Sequence, residues 1–515
     1  MAKKLTYFYL IPMGIVLFMD SLFSLLKTTY FELYLVNEVP SYKRDHPLLL
    51  LAVLLIMGAV SRQINRYLSY HKSAGKKLAF ISCLWSGMVS SFFVLLFRCG
   101  VVCDSAFLSE YATEFMEGNY EALAGGSYLG YYPFQLGMVA FLELVYRLFG
   151  AENYLAFQFI NVTAILLIIH YLHKITWELF EDERVRIWEE IISMGMLPLF
   201  LYATFVYGDV VGIACGTGAV YYGIRYIRSD RWNYLLPAGI LLMLGTIVKS
   251  NTTIFLLAIV IALFLKILEN RKWSMILWII GIVVLSQVGV WTINSVYIQR
   301  AGIDKLGEGA PKAAWIAMGL QEAKEIDNGC GWYNGYNMNV YADNGFDTEA
   351  AAKESMESIR ESLKRFVHNP QHAVYYFYKK FVSQWNDPTF QSMIVNEWYS
   401  RYSVRSELAD FFIYGTGRKL LSHLMNAYHL IVLLCSTAGC IYVIKNWRLE
   451  RAYLLLNVFG GFLFHMIWEA KGRYILGYFT LLLPIAAAGL VYIFQAACDL
   501  SEQRGKWKRK DAWID

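Results

Sequence analysis

The feature that most constrains this chain is the recurrence of apolar stretches long enough to cross a lipid bilayer. A crossing helix needs about 20 apolar residues, because the hydrocarbon layer is about 30 Å thick and a helix rises about 1.5 Å per residue. Stretches with few charges recur near residues 6–26, 47–61, 78–97, 154–172, 190–207, 210–224, 234–248, 252–268, 273–297, 420–444, 452–468 and 474–496. Lipid offers backbone amides no partner, so each is expected to be helical, giving an all-α polytopic membrane protein with about twelve transmembrane helices. The first stretch follows Lys3 and Lys4 and lacks a small-residue cleavage site, which predicts a retained anchor. Only 17% of the 515 residues are charged, against about 25% in soluble domains. A net charge of +5 is too small to favour a nucleic-acid partner, and eight cysteines are too few for a disulfide scaffold.

Residues 133–150, PFQLGMVAFLELVYRLFG, are apolar and helical in pattern yet contain Glu143 and Arg147. The distribution of cations decides their place. With this stretch outside the bilayer and a cytoplasmic N-terminus, the basic clusters all fall on one side. These are Arg62/Arg66/Lys72/Lys76/Lys77, Lys174/Arg184/Arg186, Arg225/Arg228/Arg231, Lys266/Arg271/Lys272, Lys445/Arg448/Arg451 and the tail from Arg504 to Lys510. If the stretch crossed, every later cluster would flip outward. It is therefore expected to lie at the outer surface as an amphipathic helix. Both termini are then cytoplasmic, in a multi-pass protein of a bacterial cell membrane.

Four regions follow. Residues 1–77 carry two N-terminal transmembrane helices, and 78–298 form a transmembrane module with an outer loop at 99–153. Residues 299–419 form a mostly helical extracytoplasmic segment, and 420–515 hold the last transmembrane helices and a basic cytoplasmic tail. Within 299–419, DTEAAAKESMESIRESLKRFVHNP predicts a water-facing helix capped by Asp347 or Thr348 and stopped at Pro370. In the next run Tyr375, Tyr378, Phe381 and Trp385 recur at helical spacing, an amphipathic helix suited to rest on the membrane.

Charges that sit where charge is expensive mark candidate sites. Asp104 opens the first outer loop, Asp209 follows the fifth stretch, Lys249 lies in the turn VKSNTT after the seventh, and Glu469, Lys471 and Arg473 occupy WEAKGRY after the eleventh. Each follows an odd-numbered span, so all are expected at the outer face. Simpler roles stand beside these: Asp209 and Lys249 as interfacial turn residues that snorkel, Arg473 as an anchor, Asp104 as a helix cap. Other groups weigh less. His170 and His173 lie three apart without carboxylate or cysteine company in the sequence, a poor metal pattern. Cys99 and Cys103 are expected to be free thiols. The stretch GCGWYNGYNMNVYADNG offers Trp332, Tyr333, Tyr336 and Tyr341 with amide groups, suited to a sugar or to an ordinary aromatic loop. No phosphate-cradling glycine loop or hydrolase elbow is present.

Asp104 followed by an amphipathic run, then YYPFQLGMVAFLELVYRLFG, then a span, resembles the first outer loop of the GT-C glycosyltransferases. The nearest pattern is that of the protein O-mannosyltransferases and the aminoarabinose transferases of lipid A, glycosyltransferase family 39 and its bacterial kin. Leu148-Phe149-Gly150 matches the close of that loop, Asp209 a second Asp, Lys249 a helix-turn Lys, and Arg473-Tyr474 with Pro484 an Arg-Tyr before a Pro-containing span. The match covers roughly 78–270 well and the C-terminal spans loosely. It departs in having Asp104-Ser105 where the family has an Asp-Glu pair, and Pro133-Phe134-Gln135-Leu136 where it has Pro-Pro-Leu. Tyr131-Tyr132 replace the acidic-basic residues before it. These departures weaken the case for a metal at the loop and for the family's first-loop phosphate contact; no cofactor is assigned, and a divalent metal stays open.

The chemistry suits the expected topology. Outside the cytoplasm there are no nucleotide sugars, so an outward-facing transferase would draw on a polyprenyl-phosphate sugar donor held among membrane lipids. A carboxylate takes the acceptor proton, and cations stabilise the departing phosphate. On this reading Asp104 is the base, Asp209 orients acceptor or sugar, and Lys249 and Arg473 bind the donor phosphate. Tyr131, Tyr132, Gln135, Glu469 and Lys471 are further substrate contacts. A single in-line displacement of a hexose or pentose onto a glycan, lipid or protein acceptor would invert the anomeric centre, as the resemblance implies. The alternatives are a polysaccharide polymerase or ligase with a pyrophosphate-linked donor, and a lipid or glycolipid transporter.

Overall fold

The computed structural model describes residues 1–34, 37–70, 74–323 and 329–511, and most of these are helical. Among the described residues, six helices are long and apolar enough to cross a membrane: Ala2–Leu26, Gly75–Phe97, Tyr154–Leu179, Ser250–Asn270, Trp273–Ala301 and Thr416–Lys445. Three shorter apolar helices, Leu50–Ile64, Trp232–Val248 and Leu483–Asp499, accompany them. Helices of this length and composition make an integral membrane protein. Asp209–Ser229 packs between Tyr154–Leu179 and Leu235–Val248, while Thr416–Lys445 packs against Ala2–Leu26 and the last helix. Lys72, and the side chains of Arg66 and of residues 504–510 in the expected basic clusters, lie outside the described residues.

Two expected spans are not continuous helices. Over 190–207 the helix Glu183–Met194 stops, a five-residue helix Leu197–Leu201 follows, and a 3-10 turn Tyr202–Thr204 ends it. Pro198 begins the second piece, and a Cβ on Gly195 would lie 2.7 Å from the Tyr428 ring, which packs into the bend. Over 474–496 a short helix Leu476–Thr480 precedes the helix that starts at Leu483. Pro484, lacking a backbone N–H, suits the first turn of the latter.

The stretch 133–150 forms the helix Leu136–Phe149 of 14 residues, which is neither one of the long apolar helices nor one of the three shorter ones. Its Glu143 is buried and receives Arg147 at 2.6 Å and Arg300 at 2.7 Å, with Tyr297 donating as well. Burial alone would raise the Glu143 carboxyl, but these donors bring it below its usual value. The pair of charges that made this stretch ambiguous thus clamps it to the helix Ile276–Ala301.

A β-hairpin, which the apolar periodicity did not foreshadow, joins the first two helices. Lys27–Tyr34 pairs antiparallel with Asn37–Arg44, Phe31 opposite Pro40. It is tied to the 299–419 segment: the Thr29 N–H donates to the Asn386 carbonyl at 3.1 Å, its hydroxyl to the Val382 carbonyl at 2.8 Å, and Phe31 packs 4.9 Å from Trp332.

The 299–419 segment is mostly helical, as expected. Thr348–His368 is capped by Asp347, whose side chain accepts from the N–H groups of Glu349 and Ala350. Pro370 ends that helix and opens the next, Pro370–Trp385. The aromatic stripe of the latter divides: Phe381 and Trp385 are buried and meet Phe462 at 5.9 and 6.0 Å, while Tyr375 and Tyr378 stay exposed, Tyr378 5.2 Å from Phe23. Asp347→Ala is expected to cost about 1 kcal/mol, read as a small drop in thermal midpoint with unchanged activity.

Candidate functional site

A cavity of about 410 Å³ opens where the hairpin, the loops after several helices and the 299–419 segment meet. Of the charges singled out in the sequence, Asp104, Lys249, Glu469, Lys471 and Arg473 line it, as do Tyr132 and Gln135. Asp209 lies beside it, in a small adjoining cleft that shares Lys249 and Arg473. Tyr131 is off the cavity, with its ring 5.7 Å from Tyr341 and from Phe346.

Each side chain has a local reason for its place. Asp104 is the first residue of the helix Asp104–Glu117, after Cys103 at the positive φ of 48° that turns the chain into the helix. The cap position is taken by Cys103 and Asp104 is the first helical residue, an acid in the first turn and not the cap itself. Asp209 opens the helix Asp209–Ser229, and its Oδ2 accepts from Lys249 Nζ at 3.0 Å. That approach depends on Gly208 and Gly212: a Cβ on the first would stand 2.2 Å from the Val248 carbonyl oxygen, and on the second 2.9 Å from the Lys249 Cβ. Asp209 and Lys249 side chains are 7% and 13% exposed, so this ion pair is largely withdrawn from water. Burial draws the Lys249 ammonium below its usual value, with Asp209 opposing.

Arg473 sits on the turn Gly472–Tyr474, its guanidinium 5.3–5.5 Å from the rings of Tyr474, Tyr207 and Phe205. Lys249 Nζ lies 4.4 Å from the Tyr207 ring, so one aromatic face serves both cations. Burial opposes the Arg473 charge, yet Tyr474, Asp209, Tyr207 and Glu38 around it hold the group well above its ordinary value. Its Nε is buried without a hydrogen-bond partner. The turn is fixed from behind, the Arg473 N–H donating to Gln391 Oε1 at 3.1 Å.

The sequence did not single out Glu38. It reaches in from the hairpin, pairs with Lys471 at 3.2 Å and accepts from Gln391 Nε2 at 2.8 Å. Burial would raise it, but Lys471 and Arg473 bring it below its usual value. Glu469 is buried as well, and burial pushes its carboxyl up against the pull of the same two cations. Nothing in the interval between the first two spans sets Glu38 apart from its neighbours Glu32 and Asp45.

The upper wall is aromatic. Trp315 and Trp468 stack at 5.9 Å and 7°, Tyr132 meets Trp315 at 5.7 Å, and Asn337 Nδ2 donates to the Tyr132 hydroxyl at 3.3 Å. Of the aromatic loop, Trp332 and Tyr333 line the cavity, while Tyr336 and Tyr341 do not. Such faces with interleaved amides suit a pyranose ring.

Lys380 supports this wall from outside the cavity. Fully buried, it donates to the Gly319 carbonyl and, at 2.7 Å, to that of Trp468, and burial pulls its ammonium down to about 7. The unfolded chain therefore holds the extra proton between about pH 7 and about pH 10, so this residue adds stability as pH rises through that window. Wild type is expected to gain thermal midpoint over Lys380→Met across it; parallel profiles would contradict this.

Among the described residues, no group of three or more His, Cys, Asp or Glu side chains at the cavity converges on one point. Among the described residues one trio does, His173 with Glu189 and Glu190, which corrects the sequence reading of His173 as a histidine without carboxylate company. His170 takes no part in it. Cys99 and Cys103 are free thiols, as expected.

Residues 136–292 match the family model described as dolichyl-phosphate-mannose-protein mannosyltransferase. The match holds Asp209 and Lys249, and over it the resemblance to the GT-C glycosyltransferases is borne out. No curated protein matches the chain. Two solved structures are similar in chain course. The Archaeoglobus fulgidus oligosaccharyltransferase in its apo form is 14% identical, with a TM-score of 0.44 over 85% of this chain and 52% of that one. AglB of the same organism, in complex with an inhibitory peptide and a dolichol-phosphate, is 13% identical with a TM-score of 0.42 over the same shares. The chain thus spans about half the length of these structures.

Proposed function

We propose that this protein is a membrane glycosyltransferase that moves a sugar from a polyprenyl-phosphate donor to an acceptor hydroxyl, with inversion at the anomeric carbon. The observation that carries the reading is the pairing of Lys249 and Arg473 at one end of an aromatic-walled cavity whose lining also includes Asp104. The family match over 136–292, with its description as a dolichyl-phosphate-mannose transferase, supports the same chemistry. On this reading the acceptor O–H proton passes to Asp104 as its oxygen attacks the anomeric carbon. The bond from that carbon to the phosphate oxygen breaks, and the lipid phosphate leaves as an anion against Lys249 and Arg473. Asp209, spent in its ion pair, positions Lys249 and is kept away from the acceptor. The sugar lies against Trp315, Trp468 and Tyr132, and the lipid tail leaves toward the bilayer. No step requires a metal.

The same proposal keeps twelve crossings, cytoplasmic termini and an outward-facing cavity, with 299–419 as its extracytoplasmic cover. The test is donor consumption by the purified protein in lipid nanodiscs, offered polyprenyl monophosphate and polyprenyl pyrophosphate sugars. Turnover of the monophosphate donor alone is expected. Turnover of only the pyrophosphate form would favour a polymerase or ligase, and transfer of intact lipid across the bilayer without bond cleavage would favour a transporter.

A further inference from the structure

The trio His173, Glu189 and Glu190 lies far from the cavity. The cavity-side end of the Tyr154–Leu179 helix is fixed by Gln158, whose Nε2 donates to the Cys99 carbonyl at 2.8 Å. His173 follows fifteen residues later, about 22 Å along the axis. The turn after Leu179 is tightened by Asp182, whose side chain accepts from the Arg184 N–H at 2.9 Å. It folds Glu183–Met194 back so that Glu189 and Glu190 face His173.

Two neighbouring carboxylates are then buried together, 0% and 1% exposed. Glu190 Oε1 meets His173 Nδ1, and Glu189 Oε1 accepts from the Ser193 hydroxyl at 2.7 Å. The second oxygen of each acid, Oε2, is buried with no hydrogen-bond partner. No Lys or Arg among the described residues forms an ion pair with either acid. One ligand atom from each of the three residues lies within 4.8 Å of the others. Buried anions are met by paired charge or by a metal, and here one imidazole faces two acids. We propose that His173, Glu189 and Glu190 bind a divalent transition-metal ion, zinc or manganese, which fastens the helix Glu183–Met194 to Tyr154–Leu179. One imidazole nitrogen with two carboxylate oxygens is a donor set for these ions, whereas magnesium and calcium favour oxygen alone. The site is distinct from the transferase chemistry and does not rest on it.

The experiment uses the full chain, purified in detergent through an affinity tag that binds no metal, stripped with chelator and dialysed against zinc or manganese alone. One equivalent of bound metal by elemental analysis is expected, with a raised thermal midpoint. His173→Gln and Glu189→Gln should each weaken binding by about 10-fold or more and abolish the thermal response. Wild type that binds no stoichiometric metal overturns the proposal, as does undiminished binding in either variant. If Glu189→Gln does not fold, His173→Gln and the wild-type thermal titration decide alone.

Discussion

Asp104→Asn is expected to lower sugar transfer by about 10²–10⁴-fold, the contribution of a positioned general base, while leaving expression, thermal midpoint and donor binding near wild type. The asymmetry follows from the place of the residue. Asp104 is not the cap residue of its helix and forms no ion pair with another described residue, so the folded chain loses little when its charge is removed. The amide cannot accept the acceptor proton, and the loss falls on turnover. Normal turnover in Asp104→Asn would remove it as base. Of the other two carboxyls on the cavity wall, Glu38 is held by Lys471 at 3.2 Å, so Glu469 would then be the next candidate.

The second large effect concerns Lys249 and Asp209, and here stability and activity should separate. Lys249→Met leaves Asp209 buried without its partner, and breaking a buried pair from one side costs about 3–5 kcal/mol. It also removes a cation from the leaving phosphate, worth about 10²–10³-fold in rate. The double variant Asp209→Asn/Lys249→Met should recover much of the thermal midpoint, because no buried charge is left unpaired, while transfer stays as low as in Lys249→Met. Asp209→Asn alone should keep more activity than Lys249→Met, since the cation survives and only its position loosens. Recovery of transfer in the double variant would place both residues in the scaffold and out of the chemistry.

Much of this was readable from the chain because lipid imposes one rule on every crossing segment. Long apolar helices announce themselves, and charges at their ends stand out by contrast. That contrast found Asp104, Lys249 and Arg473. It found Asp209 too, but not its role, since nothing in the spacing of residues 209 and 249 reveals that glycines let the two elements touch. Glu38 escaped because a hairpin leaves no helical periodicity and its acid gains meaning only beside Lys471, far along the chain. Glu189 and Glu190 escaped for a related reason: a span drawn from 190 to 207 hid the Gly195 bend, and with it the helix that turns back to meet His173. The aromatic wall was half legible, Trp332 and Tyr333 being in a recognisable loop while Trp315 and Trp468 meet only in three dimensions.

The turn Gly472–Tyr474 also has a bearing on biogenesis. Its guanidinium comes from residue 473, whereas the rest of the lining draws on Asp104, Tyr132, Tyr207 and Lys249, all translated earlier. A nascent chain still on the ribosome, or one cut short ahead of this turn, therefore carries a half-built pocket lacking an anion clamp. The cavity is complete only once residue 473 has been made and folded back beside Lys249.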